Sequence, residues 1–195
     1  MATFTANALL KSAQKLASWR GPGYSNSEGM YFVECIPFEG MKSVVYHWRH
    51  KPTPIKRNKD GSLPKGARKP SQYDVYLEFN QVNFAGEGDE IPLDDTWAKI
   101  TYKSKNYVFE KPRIDKNPIR VKCACDDFRF RFEKECWEAK ILYGGTYRRY
   151  HRVTPPPPEG RPYANPLKVP GMCKHIYNSI VRSQTEGWVL GGTSY

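Results

Sequence analysis

VKCACDDFRFRF (residues 121–132) places two cysteines one residue apart, just ahead of an aromatic and basic run. A second short piece, VPGMCKH (169–175), places another cysteine one residue before a histidine. In an extended strand, residues i and i+2 point to the same side, so Cys123 and Cys125 can reach one ion. IRVKC (119–123) reads as a strand. DDFRFRFEKECWEAKIL (126–142) reads as a helix, with Asp126 as its N-cap, Asp127 at its positive end and Gly144–Gly145 as its stop. MCKHIYNSIVRSQ (172–184) reads as a second helix, with Cys173 in the turn before it and His175 in its first turn.

Thiolate and neutral imidazole are the ligands tetrahedral zinc prefers. Cys123, Cys125, Cys173 and His175 therefore form a candidate zinc site with four ligands. An all-thiolate alternative is an iron–sulfur cluster on Cys123, Cys125, Cys136 and Cys173. Against it, Cys136 lies eleven residues past Cys125, about 16 Å along a helix axis. Cys35 and Cys136 read instead as buried thiols. His47, His50 and His151 have no neighbour at ligand spacing, and the first two read as polar or anion contacts.

Outward from these pieces, the chain reads as short elements joined by irregular connections. Residues 5–19 form an amphipathic helix capped by Thr5, with Leu9, Ala13, Leu16 and Ala17 on one side. It either packs on the chain's own core or reaches a neighbouring subunit. Strand-like runs follow at 30–36, 42–50, 73–79, 97–103, 106–110 and 119–123. Tyr73, Val75, Leu77 and Phe79 alternate with polar residues, as a half-buried strand requires. Residues 104–105 read as a tight hairpin turn. The expected fold class is α+β: a mainly antiparallel sheet of about five strands, an N-terminal helix and a metal-pinned pair of C-terminal helices. The expected layout is a helical arm over residues 1–25 and one domain over 26–195, with its metal-binding part at 119–183. The four prolines at 155–158 impose a stiff polyproline strap within 147–171.

The 195 residues carry a formal net charge of +11, which favours anionic partners. Residues 49–70 hold eight Lys/Arg and one Asp, in a loop that projects between two strands. Lys56, Arg57, Lys59, Lys65, Arg68 and Lys69 are its candidate anion contacts, to nucleic acid or an acidic protein surface. The N-terminal stretch is interrupted by Lys11 and Lys15, so no secretory signal is expected. No apolar window is long enough to span a bilayer, and no membrane partner is expected. Synthesis in the cytosol, with five reduced cysteines, favours metal binding over disulfides.

CAC…MCKH resembles the CxC…CxH signature of SWIM-type zinc-binding modules. The resemblance implies that Cys123, Cys125, Cys173 and His175 are the ligands, with an unusually long insertion of 47 residues between the pairs. CACDDFRFRF, PPPPEGRPYANP and PGMCKH together resemble virion structural proteins of tailed bacteriophages. That resemblance covers about residues 119–180. It implies a particle component at the neck, tail or baseplate, made in the host cytoplasm and contacting other structural subunits.

Neither a phosphate-binding glycine loop nor a nucleophile elbow is present, and four ligands leave a zinc ion no open position. The expectation is a structural or interaction protein, not an enzyme. The alternative is a zinc-containing nucleic-acid-binding module, using the basic loop and YRRYHR (147–152).

Overall fold

The computed structural model describes residues 4–16, 29–51, 59–62, 72–86, 88–91, 94–147, 165 and 167–191. The fold is α+β. Strands β1 (Met30–Phe38), β2 (Ser43–His50), β3 (Tyr73–Asn80) and β6 (Ile119–Cys123) form an antiparallel sheet in the order β1-β2-β3-β6. Strands β4 (Trp97–Tyr102) and β5 (Lys105–Glu110) form a separate two-stranded hairpin, so the expected single sheet divides in two. The helices are α1 (Ala6–Gln14), α2 (Asp126–Arg131), α3 (Glu133–Glu138) and α4 (Lys174–Thr185).

The register of the main sheet sorts its side chains between two faces. Trp48 pairs with Val75, Tyr46 with Leu77, and Val44 with Phe79. Cys123, Val121 and Ile119 of β6 continue the same rows. All nine residues are buried, and they form the inner face. The alternate residues, among them Arg49, Asp74, Glu78, Arg120 and Lys122, lie on the opposite face. Phe32, at the β1 end of this layer, stacks on Trp188 with ring centroids 5.0 Å apart. A bulge between Phe32 and Glu34 interrupts the β1 edge.

Helix α1 packs on the chain's own core. Thr5 Oγ1 accepts the Ala8 amide at 3.2 Å, and Ala6, Leu9, Leu10, Ala13 and Leu16 join the central apolar cluster. The Phe4 carbonyl accepts the Ile119 amide at 2.8 Å, which ties the entry of α1 to β6.

The helix expected over 126–142 is instead two short ones. The chain leaves helical geometry at Phe132 (φ −125°, ψ −24°), whose ring is fully buried. After α3 the chain turns back to run beside β6: Ile141 accepts the Val121 amide, and Tyr143 donates to the Val121 carbonyl. A single continuous helix would carry these residues away from the sheet.

Candidate metal centre

Three pieces of backbone deliver the four donor side chains. Cys123 is the last residue of β6 and projects from the inner face, next in line after Val121. Ala124 donates its amide to the Asp74 carbonyl at 3.0 Å, so the strand's pairing outlasts the strand by one residue. Cys125 is still extended (φ −75°, ψ 150°) and therefore returns to the side of Cys123. It, rather than Asp126, caps α2: its sulfur accepts the Phe128 amide at 3.3 Å. Cys173 is the extended N-cap residue of α4, and His175 sits in the first turn.

The three Sγ atoms and one ring nitrogen lie within 4.8 Å of one another. Cys123 Sγ and His175 Nδ1 are 3.8 Å apart. Tetrahedral bonds of roughly 2.3 Å to sulfur and 2.0–2.1 Å to nitrogen place such donors about 3.6 Å apart, so one ion fits with little adjustment. The cysteines are buried, while His175 keeps partial exposure.

The electrostatics suit a cation. Cys125 is held far below the usual thiol range, because the neighbouring thiols of Cys123 and Cys173 donate to its sulfur. Burial pushes Cys123 and Cys173 well up. Without a positive ion, this cluster stabilises one thiolate and resists two more. A divalent cation held there would supply the missing charge and displace the remaining protons.

Two rings frame the histidine. His50 meets His175 edge-on with centroids 4.5 Å apart, and Tyr73 lies 5.0 Å away on the other strand. Burial among these groups pushes the His50 imidazole down to about 4. Its expected role as an anion contact is therefore corrected: it is an inner-face residue packed beside a ligand. The alternation Tyr46, Trp48, His50 carried that signal in the sequence. His47 faces the other way and bonds Asp74 Oδ1 at 2.8 Å.

Comparison with protein-family models, curated proteins and solved structures finds no match.

The case for the site rests on its donors. Among the described residues, the group that can hold a metal ion is Cys123, Cys125, Cys173 and His175, the set expected from the spacing. Cys136 is not part of it, which corrects the all-thiolate alternative. Its thiol donates to the Gly171 carbonyl at 3.5 Å, and burial pushes its pKa up to about 12.

The basic loop contributes nothing to this geometry within the described residues. Lys59 is exposed, next to an Asp60 carboxylate that accepts both the amide and the hydroxyl of Ser62. Lys56, Arg57, Lys65, Arg68 and Lys69 lie outside the described residues, as do His151 and most of the proline strap. Asn165 is described: its side-chain amide donates to the carbonyls of Arg131 and Val169. It thereby fastens the segment before Cys173 to the end of α2. No helix among the described residues is long and apolar enough to cross a membrane.

Proposed function

We propose that the chain is a zinc-stabilised structural protein that works by contact with partners and not by catalysis. The observation that carries this reading is the convergence of three thiols and one imidazole from the end of β6, the cap of α2 and the start of α4. With four protein donors the ion has no open position, the arrangement of structural sites. A bound ion would close a loop of about fifty residues, whose closure otherwise opposes folding entropically. Zinc is the ion of choice because three sulfurs and one nitrogen in a tetrahedral array suit it.

The wider setting is a subunit of a tailed-phage particle, at the neck, tail or baseplate. Its support is the likeness of the sequence words around CAC, the proline run and PGMCKH. Neighbouring subunits would meet the basic loop and the proline strap, since α1 is already committed to the chain's own core.

Metal analysis of the purified protein, with Cys123→Ser and Cys173→Ser variants, tests the centre. One zinc per chain is expected, lost in both variants together with a large fall in the unfolding midpoint. A metal-free wild type with an unchanged unfolding transition would refute the proposal, and a visible absorption band with bound iron would replace zinc by a cluster.

A further inference from the structure

His50 is a buried imidazole that packing alone does not explain. It ends β2 on the inner face, two residues past Trp48, and is only 5% exposed. Its Nε2 has no hydrogen-bond partner among the described residues. A buried ring nitrogen left unpaired costs free energy that an apolar ring in the same space avoids. As a filler of the free chain, phenylalanine would serve better. The nitrogen therefore points to something the free chain does not supply.

What lies beside it is a metal donor. The His50 ring meets that of His175 at 62°, with centroids 4.5 Å apart. Tyr73, its cross-strand partner, meets the same ring at 32° and 5.0 Å. Two rings set at different angles restrict how the His175 imidazole can turn. That matters because an imidazole can bind a metal through either nitrogen. Here Nδ1 is turned to the thiols, 3.8 Å from Cys123 Sγ. His175 is also the donor that most needs bracing, since it is partly exposed while the three cysteines are buried. The brace is itself fastened. The Ser179 hydroxyl donates to the His175 carbonyl at 2.9 Å and lies 3.3 Å from the Met30 sulfur. Met30 pairs with His50 across β1 and β2, and the Lys51 amide donates to the Gly29 carbonyl at 2.6 Å. The first turn of α4 and the end of β2 are thus tied to the same strand end.

We propose that His50 is a positioning residue of the metal centre: its ring holds the His175 imidazole with Nδ1 towards the thiols, and its Nε2 finds its hydrogen-bond partner only when the centre is loaded. This inference rests on the zinc reading of that centre. His50 is not a fifth ligand, because the donors that lie within 4.8 Å of one another do not include it. Groups that orient ligands in this way typically set metal affinity by about 10–100-fold without touching the ion. The consequence is an asymmetry between the two states of the chain. The metal-free form gains nothing from the nitrogen, and the loaded form does.

The test is the zinc affinity of the full chain, measured by competition with a chelating dye, beside thermal melts of the metal-free protein. His50→Phe keeps a ring and removes the nitrogens. Its metal-free form should melt no earlier than the parent's, yet bind zinc about tenfold more weakly. His50→Gln returns a nitrogen to the same region and should bind zinc more tightly than His50→Phe. Cobalt-loaded parent and variants should share the visible d–d bands of a tetrahedral site with three sulfurs and one nitrogen, the donor set described above. A residue that only fills space gives equal zinc affinities for the parent and His50→Phe, and that result would overturn the proposal. So would a metal-free His50→Phe that melts much earlier, which would mean the nitrogen already has its partner. Cobalt bands that change in the variants would make His50 a ligand and overturn it as well. A parent that takes up no zinc refutes the reading of the centre itself, whereas a zinc-binding parent with an indifferent His50→Phe refutes only the role of His50.

Discussion

Gly171 and Phe132 share one space: a β-carbon on Gly171 would meet the Phe132 ring at 2.5 Å. The ring is fully buried at the break between α2 and α3, and Gly171 lies two residues before Cys173. The contact therefore sets how closely the second ligand pair approaches the first. Gly171→Ala should lower stability by about 1–3 kcal/mol, the usual range for overpacking a filled core. Denaturant unfolding should show a lower midpoint with an unchanged slope. Adding Phe132→Leu should recover part of the loss, as expected for neighbours that couple through one volume. An unchanged midpoint for the single variant would mean that the backbone at 170–172 yields freely.

Cys125 has two roles that separate once metal is withdrawn. As a donor it is irreplaceable, so Cys125→Ser and Cys125→Ala should both release the ion. As the α2 cap it needs only an acceptor for the Phe128 amide. Serine supplies one and alanine does not. In chelator-treated protein the serine variant should therefore be more stable by about 1 kcal/mol. Equal stabilities in chelator would show that the sulfur–amide contact carries no weight.

The two parts of the site were legible in the sequence to different degrees. The donors were, because i and i+2 pairs at element boundaries are a local pattern, and β6 keeps its expected bounds of 119–123. The surroundings of the ligands were not. His50 and Tyr73 reach His175 across the sheet, a juxtaposition set by register between residues far apart in the chain. The break at Phe132 escaped for a similar reason: its cause is tertiary, a ring buried against Gly171, while the local 3–4 spacing runs through it undisturbed. Asp126 looked like the cap because aspartate is the commoner choice. Cys125 takes that place because the backbone that presents its sulfur to the ion also presents it to the Phe128 amide. The separate hairpin was half legible. Its strands were expected, but the turn falls at Lys103–Ser104, one residue early, where no glycine marks it.

On the opposite face of the sheet, Glu78 is almost fully buried and its Oε1 meets Arg120 Nη2 at 2.6 Å, while the arginine is 40% exposed. Removing the exposed partner leaves the buried charge alone. Arg120→Ala should destabilise by roughly 2–4 kcal/mol, somewhat below the usual value for a fully buried pair. Glu78→Gln in that background should restore much of it, because an uncharged amide tolerates the same position better. Thermal or denaturant melts of the two single variants and the double variant measure the coupling. Additive effects would show that water already satisfies the carboxylate.

Cys35 and Cys136 give the molecule an alkaline limit independent of the metal donors. Burial pushes both thiols from 9.0 to about 12. The folded chain thus keeps protons that the unfolded chain sheds above about pH 9. The contribution to stability is full below that pH and declines as pH rises towards 12. Each thiol adds at most about 1.4 kcal/mol per pH unit to the decline. Stability measured from pH 8 to 11 should therefore be flat at first and then fall. Cys136→Ala will lower stability at every pH, because it leaves a small cavity. Relative to its own value at pH 8, however, its alkaline fall should be shallower than the parent's by up to that one-thiol slope. Parallel curves for the two proteins would show that Cys136 ionises without unfolding, which its bond to the Gly171 carbonyl and its full burial argue against.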